Sequence, residues 1–155
     1  MNKKNNIVYI GRMSEEKGIH LLIEALRGYN GNITCDMFLH GNESSPYNEN
    51  DLFKNAISIY RKTLGENKWQ TMANYDALIL PSYSESFGLV VAEALSIGLP
   101  VLVSNKTIWN NAEDQGYGIV FDLNVEFIHK SLNCDYLFKS LRVIFPAACC
   151  GDSDY

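Results

Sequence analysis

Residues 75–104 read YDALILPSYSESFGLVVAEALSIGLPVLVS. Two short apolar runs, ALIL at 77–80 and VLVS at 101–104, enclose the opening PSYSESFG and a longer apolar segment. The order predicted is strand, loop, helix over 87–97, strand, which is a βαβ unit. Further out along the chain the pattern repeats. IVYI (7–10), ITCDMFLH (33–40), ISIY (57–60) and YGIVF (117–121) are apolar runs of strand length, separated by segments long enough for helices. The whole therefore reads as an α/β fold, a single Rossmann-like, doubly wound domain around a parallel sheet.

The clearest helix begins near Gly18, where Ile19, Leu22, Ile23 and Leu26 give the i, i+3, i+4, i+7 stripe and Gly28 supplies a stop. Further helices are predicted near 49–56, 67–75, 87–97, 109–114 and 125–142. Residues 1–124 form the binding domain in this division, and 125–155 a helix and an atypical tail belonging to it.

With 155 residues, 46% of them hydrophobic, the chain suits one domain with a sizeable core. A net charge of -5 argues against nucleic acid and against non-specific attraction to anionic membranes, so an anionic ligand must be held by locally placed bases. Cys35, Cys134, Cys149 and Cys150 show neither zinc spacing nor Cys-x-x-Cys, and the first residues have too short an apolar stretch for a signal peptide. A reduced, cytoplasmic protein is expected, without a membrane-spanning run but compatible with peripheral contact at the inner face of a membrane.

One residue in the opening stretch is out of place. Between Glu85 and Lys106 the only charge is Glu93, whose helical neighbours are Leu89, Val90, Ser96 and Ile97 rather than a polar stripe. A carboxylate in such surroundings needs a polar partner. In an open parallel sheet, ligands bind at the carboxyl ends of the strands. Two loops there carry the right chemistry. In YIGRMSEEKG (9–18), Gly11 permits close approach while Arg12 and Lys17 bring two positive charges. In PSYSESFG, Ser84 and Ser86 are candidate N-caps, and Gly88 opens the first turn of a helix whose free N–H groups and dipole attract anions. A helix starting at Phe87 puts Glu93 about 9 Å further along its axis. Two carboxylates beside an anion site accept hydrogen bonds from hydroxyls, so a diphosphate with a sugar at one end and a ribose at the other fits, Glu85 facing the sugar and Glu93 the ribose. The plain alternatives are solvated loop charges for Arg12 and Lys17, a loop acid for Glu85 and a surface residue for Glu93.

YIGRMSEEKGIHLLIEAL together with residues 75–104 resembles the C-terminal, nucleotide-sugar-binding half of the GT-B retaining glycosyltransferases of group 1, family 4, over residues 5–123. The resemblance centres on Glu85 and Glu93, with seven residues between them, preceded by PS and followed by GLPV, with Gly-Arg and Lys-Gly upstream. It implies that Arg12 and Lys17 contact the donor diphosphate. It implies that Glu85, Ser86, Phe87, Gly88 and Leu89 face the transferred sugar and its phosphate, that Glu93 holds ribose hydroxyls, and that the base lies near Thr63. Arg12, Lys17 and Glu85 are then the catalytic residues and Gly11 a donor-binding one. No metal or other cofactor is implied, the nucleotide-diphosphate sugar being substrate.

The chain departs from the pattern at GNE (41–43) and Arg61, which leaves the base open, and at SNKTIWNN (104–111). The resemblance further implies an N-terminal acceptor lobe that this sequence does not supply, a sugar or lipid-linked acceptor, and a role in polysaccharide or glycoconjugate synthesis. A non-catalytic nucleotide-sugar-binding module, one half of a two-chain enzyme completed by a separate acceptor-lobe chain, and a doubly wound domain for some other phosphate ligand are the competing readings. His40 ends a strand near the site and is a further ligand-contact candidate, whereas Asp152 and Asp154 only imitate a metal-binding pair.

Overall fold

The computed structural model describes residues 5–27, 31–41, 52 and 57–132. Six strands form one parallel sheet: β1 (Asn5–Arg12), β2 (Ile33–His40), β3 (Ile57–Tyr60), β4 (Ala77–Leu80), β5 (Val101–Ser104) and β6 (Gly118–Phe121). Their order across the sheet is β3-β2-β1-β4-β5-β6. The chain thus winds outward from β1 to β3, crosses back to β4 and winds out the other way, which makes the β1/β4 boundary the point of reversal. Crevices at such a boundary, outside the carboxyl ends of the strands, are where doubly wound sheets bind ligands.

β1 and β2 run for eight residues each, and β3 to β6 for four. All four residues of β4 are buried, as are all four of β5, so both read as unbroken apolar runs. Alternate residues serve opposite faces. Ile7, Tyr9, Ile79 and Leu102 belong to one buried cluster with α1 (Ile19–Arg27) and α4 (Val125–Leu132). Val8, Ile10, Leu78, Leu80, Val101 and Val103 belong to the other, with Met72 of α2 (Lys68–Met72) and Val91 and Ala94 of α3 (Leu89–Ser96).

Several predicted boundaries move. β1 extends past its apolar centre in both directions and pairs with β2 over its whole length, so Gly11 and Arg12 end the strand rather than begin the loop. A single 3-10 turn, Glu15–Lys17, precedes α1. The helix expected at 109–114 is instead a series of turns. Ala112 N–H donates to Trp109 C=O at 3.0 Å, Gln115 to Asn111 at 3.0 Å and Tyr117 to Ala112 at 3.0 Å, a mixture of spacings and not a helical ladder. Asn110, Asn111, Asp114 and Gly116 favour this, since their side chains or backbone suit turns. The 67–75 helix shortens to α2, and α4 is described to Leu132; the rest of 125–142, and all of 49–56 but the buried Leu52, lie outside the described residues. Cys35 is buried and free, its thiol pushed up by burial and then by the neighbouring charge of Asp36.

Gly18 fixes the geometry of the reversal point. Its φ of +66° lies in the left-handed region, and a Cβ there would sit 1.8 Å from the carbonyl oxygen of Pro81. Gly116 has a similar φ, +77°, with nothing within 4 Å of its would-be Cβ. Gly116→Ala therefore meets conformational strain alone, of about 1–3 kcal/mol, whereas Gly18→Ala meets strain and a backbone collision. Urea denaturation of the two variants should show Gly18→Ala losing clearly more stability; equal losses would mean the loop can step away from Pro81 freely.

Candidate functional site

The loops that leave β1 and β4 are joined to each other. Tyr83 N–H donates to the Glu16 carbonyl at 2.8 Å, Gly18 abuts Pro81, and the His20 and Tyr83 rings stack with centroids 6.0 Å apart. Across this seam Lys17 Nζ lies 2.5 Å from Glu85 Oε1, the side chains being 20% and 10% exposed. The sequence reading assigned these two residues to one ligand, and the fold puts them in contact.

Glu85 is held from below as well. Ser82 Oγ donates to Glu85 Oε1 at 2.9 Å, and the Ser82 carbonyl accepts from Ser104 Oγ at 2.5 Å. Both serines are fully buried, so the relay ties Glu85 to the carboxyl end of β5. Tyr9 lies beneath, its hydroxyl donating to the Arg12 carbonyl at 2.9 Å. Burial first and the charge of Glu85 second hold that phenol far above its ordinary range, so it stays a protonated donor. Arg12, exposed at the end of β1, pairs in register with His40 of β2.

The first turn of α3 completes this end of the site, but not as expected. The helix begins at Leu89, with Gly88 at the N-cap position in the left-handed region (φ 74°, ψ 56°) and no side-chain cap. Ser84 and Ser86 are therefore not caps: both are exposed, and the sharp turn at Gly88 directs the chain into the helix without them. Glycine is needed there because Trp109 packs over it. A Cβ would sit 3.0 Å from Trp109 Nε1, which donates to the Phe87 carbonyl at 2.7 Å while the two rings meet edge to face at 5.5 Å. Phe87 and Leu89 remain 51% and 64% exposed at the start of α3, where the Val91 N–H already donates to the Gly88 carbonyl at 2.9 Å.

Glu93 has the polar partner its surroundings required. Lys68, the first residue of α2, brings Nζ to 2.5 Å from Glu93 Oε2, with side chains 24% and 14% exposed. Glu93 is thus no open-surface residue. Counted from Leu89 it lies about 6 Å along the axis rather than about 9 Å. Thr63 stands apart, exposed in the loop that follows the edge strand β3.

Lys68, Ser82, Ser104 and Trp109 are the contributors that sequence reading passed over. Ser82 lies inside the stretch that decided the fold, next to Pro81, and only its burial reveals its use. Lys68 left no local signal, because its partner lies on a different helix. Among the described residues no three or more His, Cys, Asp or Glu are grouped to hold a metal ion, and no helix is long and apolar enough to cross a membrane.

Comparison with known proteins bears on this arrangement. The sulfoquinovosyl transferase SQD2 of Arabidopsis thaliana is 32% identical over 105 residues, covering 66% of this chain and 20% of that protein. The chain thus spans a fifth of the length of that relative. Among solved structures, the C-terminal domain of a group 1 family glycosyl transferase (LpcC) from Francisella tularensis superposes with a TM-score of 0.68 at 20% identity, over 96% of this chain and 83% of that one. WaaG, a glycosyltransferase involved in lipopolysaccharide biosynthesis, gives 0.67 at 22% identity, over 96% of this chain and 46% of that one. These likenesses carry the fold, the Rossmann-like α/β architecture of GT-B glycosyltransferases. The profile of the family described as glycosyl transferases group 1 matches residues 1–133, most of the chain, and the chain belongs to that family.

Proposed function

We propose that this chain is the donor-binding lobe of a retaining glycosyltransferase of GT-B architecture, family 4, acting on a nucleotide-diphosphate sugar. The observation that carries the reading is the Lys17–Glu85 pair, set across the reversal point of the sheet and beside the first turn of α3. A base and a carboxylate in contact just before the N-terminus of a helix match a ligand with a diphosphate and a hydroxylated ring. The likeness to a domain described as C-terminal supports placing the lobe in that half of the enzyme.

In this reading the diphosphate bridges Arg12, Lys17 and the N–H groups around Gly88 and Leu89. As the bond to the anomeric carbon breaks, negative charge grows on the departing phosphate and positive charge on the sugar. The donors fixed around the crevice stabilise the former, each worth about 3–4 kcal/mol by analogy with preorganised oxyanion donors. Glu85, immobilised by Ser82 and Lys17, orients sugar hydroxyls; Ser86 and Phe87 wall the sugar, Gly11 lets the phosphate approach β1, and Thr63 lies on the base side. With retention, the acceptor hydroxyl approaches the face that the phosphate leaves, and that phosphate takes the acceptor's proton. The acceptor, a sugar or lipid-linked sugar of a polysaccharide or glycoconjugate, is presented by a second lobe, in the same protein or a separate chain, in the cytoplasm and at the inner membrane face where the acceptor is lipid-linked.

Positive potential supplied by two side chains and a helix terminus makes a divalent cation unnecessary. Calorimetric titration with UDP, GDP, ADP and their sugars in the presence of chelator should therefore show binding of at least one series, and Lys17→Ala should weaken it by about tenfold or more, the loss of a charge-assisted contact worth about 1.5–3 kcal/mol. Binding that returns only with added magnesium or manganese would overturn the metal-independent reading, and no binding at all would overturn the donor site.

The 155-residue chain alone should bind the donor yet transfer its sugar far more slowly than a two-lobed relative, because orientation within a closed site is worth roughly 7–11 kcal/mol. Mass spectrometry of an added acceptor, with and without an acceptor-lobe chain, measures this. Efficient transfer by the lone monomer would show that the lobe is not half of the catalytic apparatus.

A further inference from the structure

The second ion pair of the site contains a residue that has no role in the account so far. Lys68 opens α2 and Glu93 lies in the middle of α3, the two helices touch, and α3 packs over β4 and β5. Their charged ends meet at 2.5 Å with little exposure. Glu93 Oε2 is out of contact with solvent and, despite the close ammonium, lacks an aligned hydrogen bond. His40, ending β2, has an Nδ1 that is likewise shielded and without a hydrogen-bond partner. Burial first and the nearby charge of Lys68 second lower its pKa from the ordinary value of 6.5. Shielded polar atoms without well-made hydrogen bonds are exceptions in folded proteins and call for an explanation.

We propose that Lys68 is a ligand-contacting, specificity-determining residue: with Glu93 it forms a two-sided clamp for a vicinal diol, the ribose of the nucleotide. This rests on the donor-site reading above and extends it to a residue outside the paired-glutamate pattern. The chemistry is that of complementary partners. A carboxylate only accepts hydrogen bonds and an ammonium only donates them, whereas each hydroxyl does both. One ribose hydroxyl donates to Glu93 while its neighbour accepts from Lys68, so the ion pair opens around the diol and both charged groups keep a partner. A ring lacking one hydroxyl satisfies only one side and leaves the other group shielded and unmatched. The clamp therefore discriminates ribose from 2′-deoxyribose. An ion pair that merely pinned α2 to α3 would change stability on substitution but would leave that discrimination untouched.

The test is calorimetric titration of the full chain with whichever of UDP, GDP or ADP binds most tightly, and with its 2′-deoxy counterpart. Binding of the ribonucleotide should be stronger by about tenfold, the factor that about 1.4 kcal/mol carries. Lys68→Met should reduce that ratio to about threefold or less, a difference of under about 1 kcal/mol, while Lys68→Gln, whose amide still donates, should retain more of it. Melting temperatures recorded alongside separate any general loss of stability. An unchanged ratio in Lys68→Met overturns the clamp, and so does a native chain that binds both nucleotides equally, a result that needs no variant to fold. If no nucleoside diphosphate binds, the donor site fails and the clamp with it; if they bind without discrimination, the clamp alone fails.

Discussion

The backbone contact between Gly18 and the Pro81 carbonyl governs the geometry of everything above it. β1 and β4 are neighbours in the sheet although far apart in the chain, and the loops leaving them would be pushed apart if residue 18 carried a side chain. Glycine alone permits the left-handed turn and the close approach together. Once the loops touch, the Tyr83–Glu16 hydrogen bond and the His20–Tyr83 stack follow, and Lys17 is delivered to Glu85. The site is consequently built on the ends of core strands and not on a free loop, which is the condition for groups to be aimed before a ligand arrives.

Charge in this chain is arranged locally. The net charge of -5 offers no long-range attraction for an anion, yet Lys17 and Lys68 are each held beside a glutamate, one before and one within α3, and Arg12 ends the neighbouring β1. Each glutamate of the pattern is matched to one lysine, Glu85 to Lys17 and Glu93 to Lys68. Pairing offsets the cost of shielding the carboxylates, one before α3 and one in its middle. Between them in the chain lies the N-terminus of α3, the positive end of the helix dipole.

Much of the fold was legible in the sequence for a physical reason: central strands buried on both faces are largely apolar, so ALIL and VLVS marked their own positions, while the half-buried edge strand ISIY was marked by its isoleucines alone. The lone carboxylate at 93 announced a partner by the same logic of burial. What could not be read was the identity of that partner, because Lys68 reaches Glu93 only after α2 and α3 pack. Nor could the turns at 105–116 be told from a helix, since Trp109 and Ala112 suggest an apolar face whereas the intervening Asn and Asp residues capture the backbone in turns. The serines before α3 looked like caps by residue type; the pressure of Trp109 over Gly88, invisible locally, made glycine the residue that starts the helix. Ser82 lies inside the stretch that marked the fold, but its contact with Glu85 appears only in the hydrogen-bond relay to Ser104.

The central claim is that the two loops at the β1/β4 boundary form a single binding surface for a nucleotide-diphosphate sugar. A titration of the isotopically labelled chain, followed through its backbone amide resonances, tests it most directly. The account predicts that saturating donor shifts Lys17, Gly18, Tyr83, Gly88 and Leu89 together, with one common dissociation constant, while amides of α4 on the far face stay in place. Shifts confined to one of the two loops, or gathered on the α1/α4 face, would contradict it.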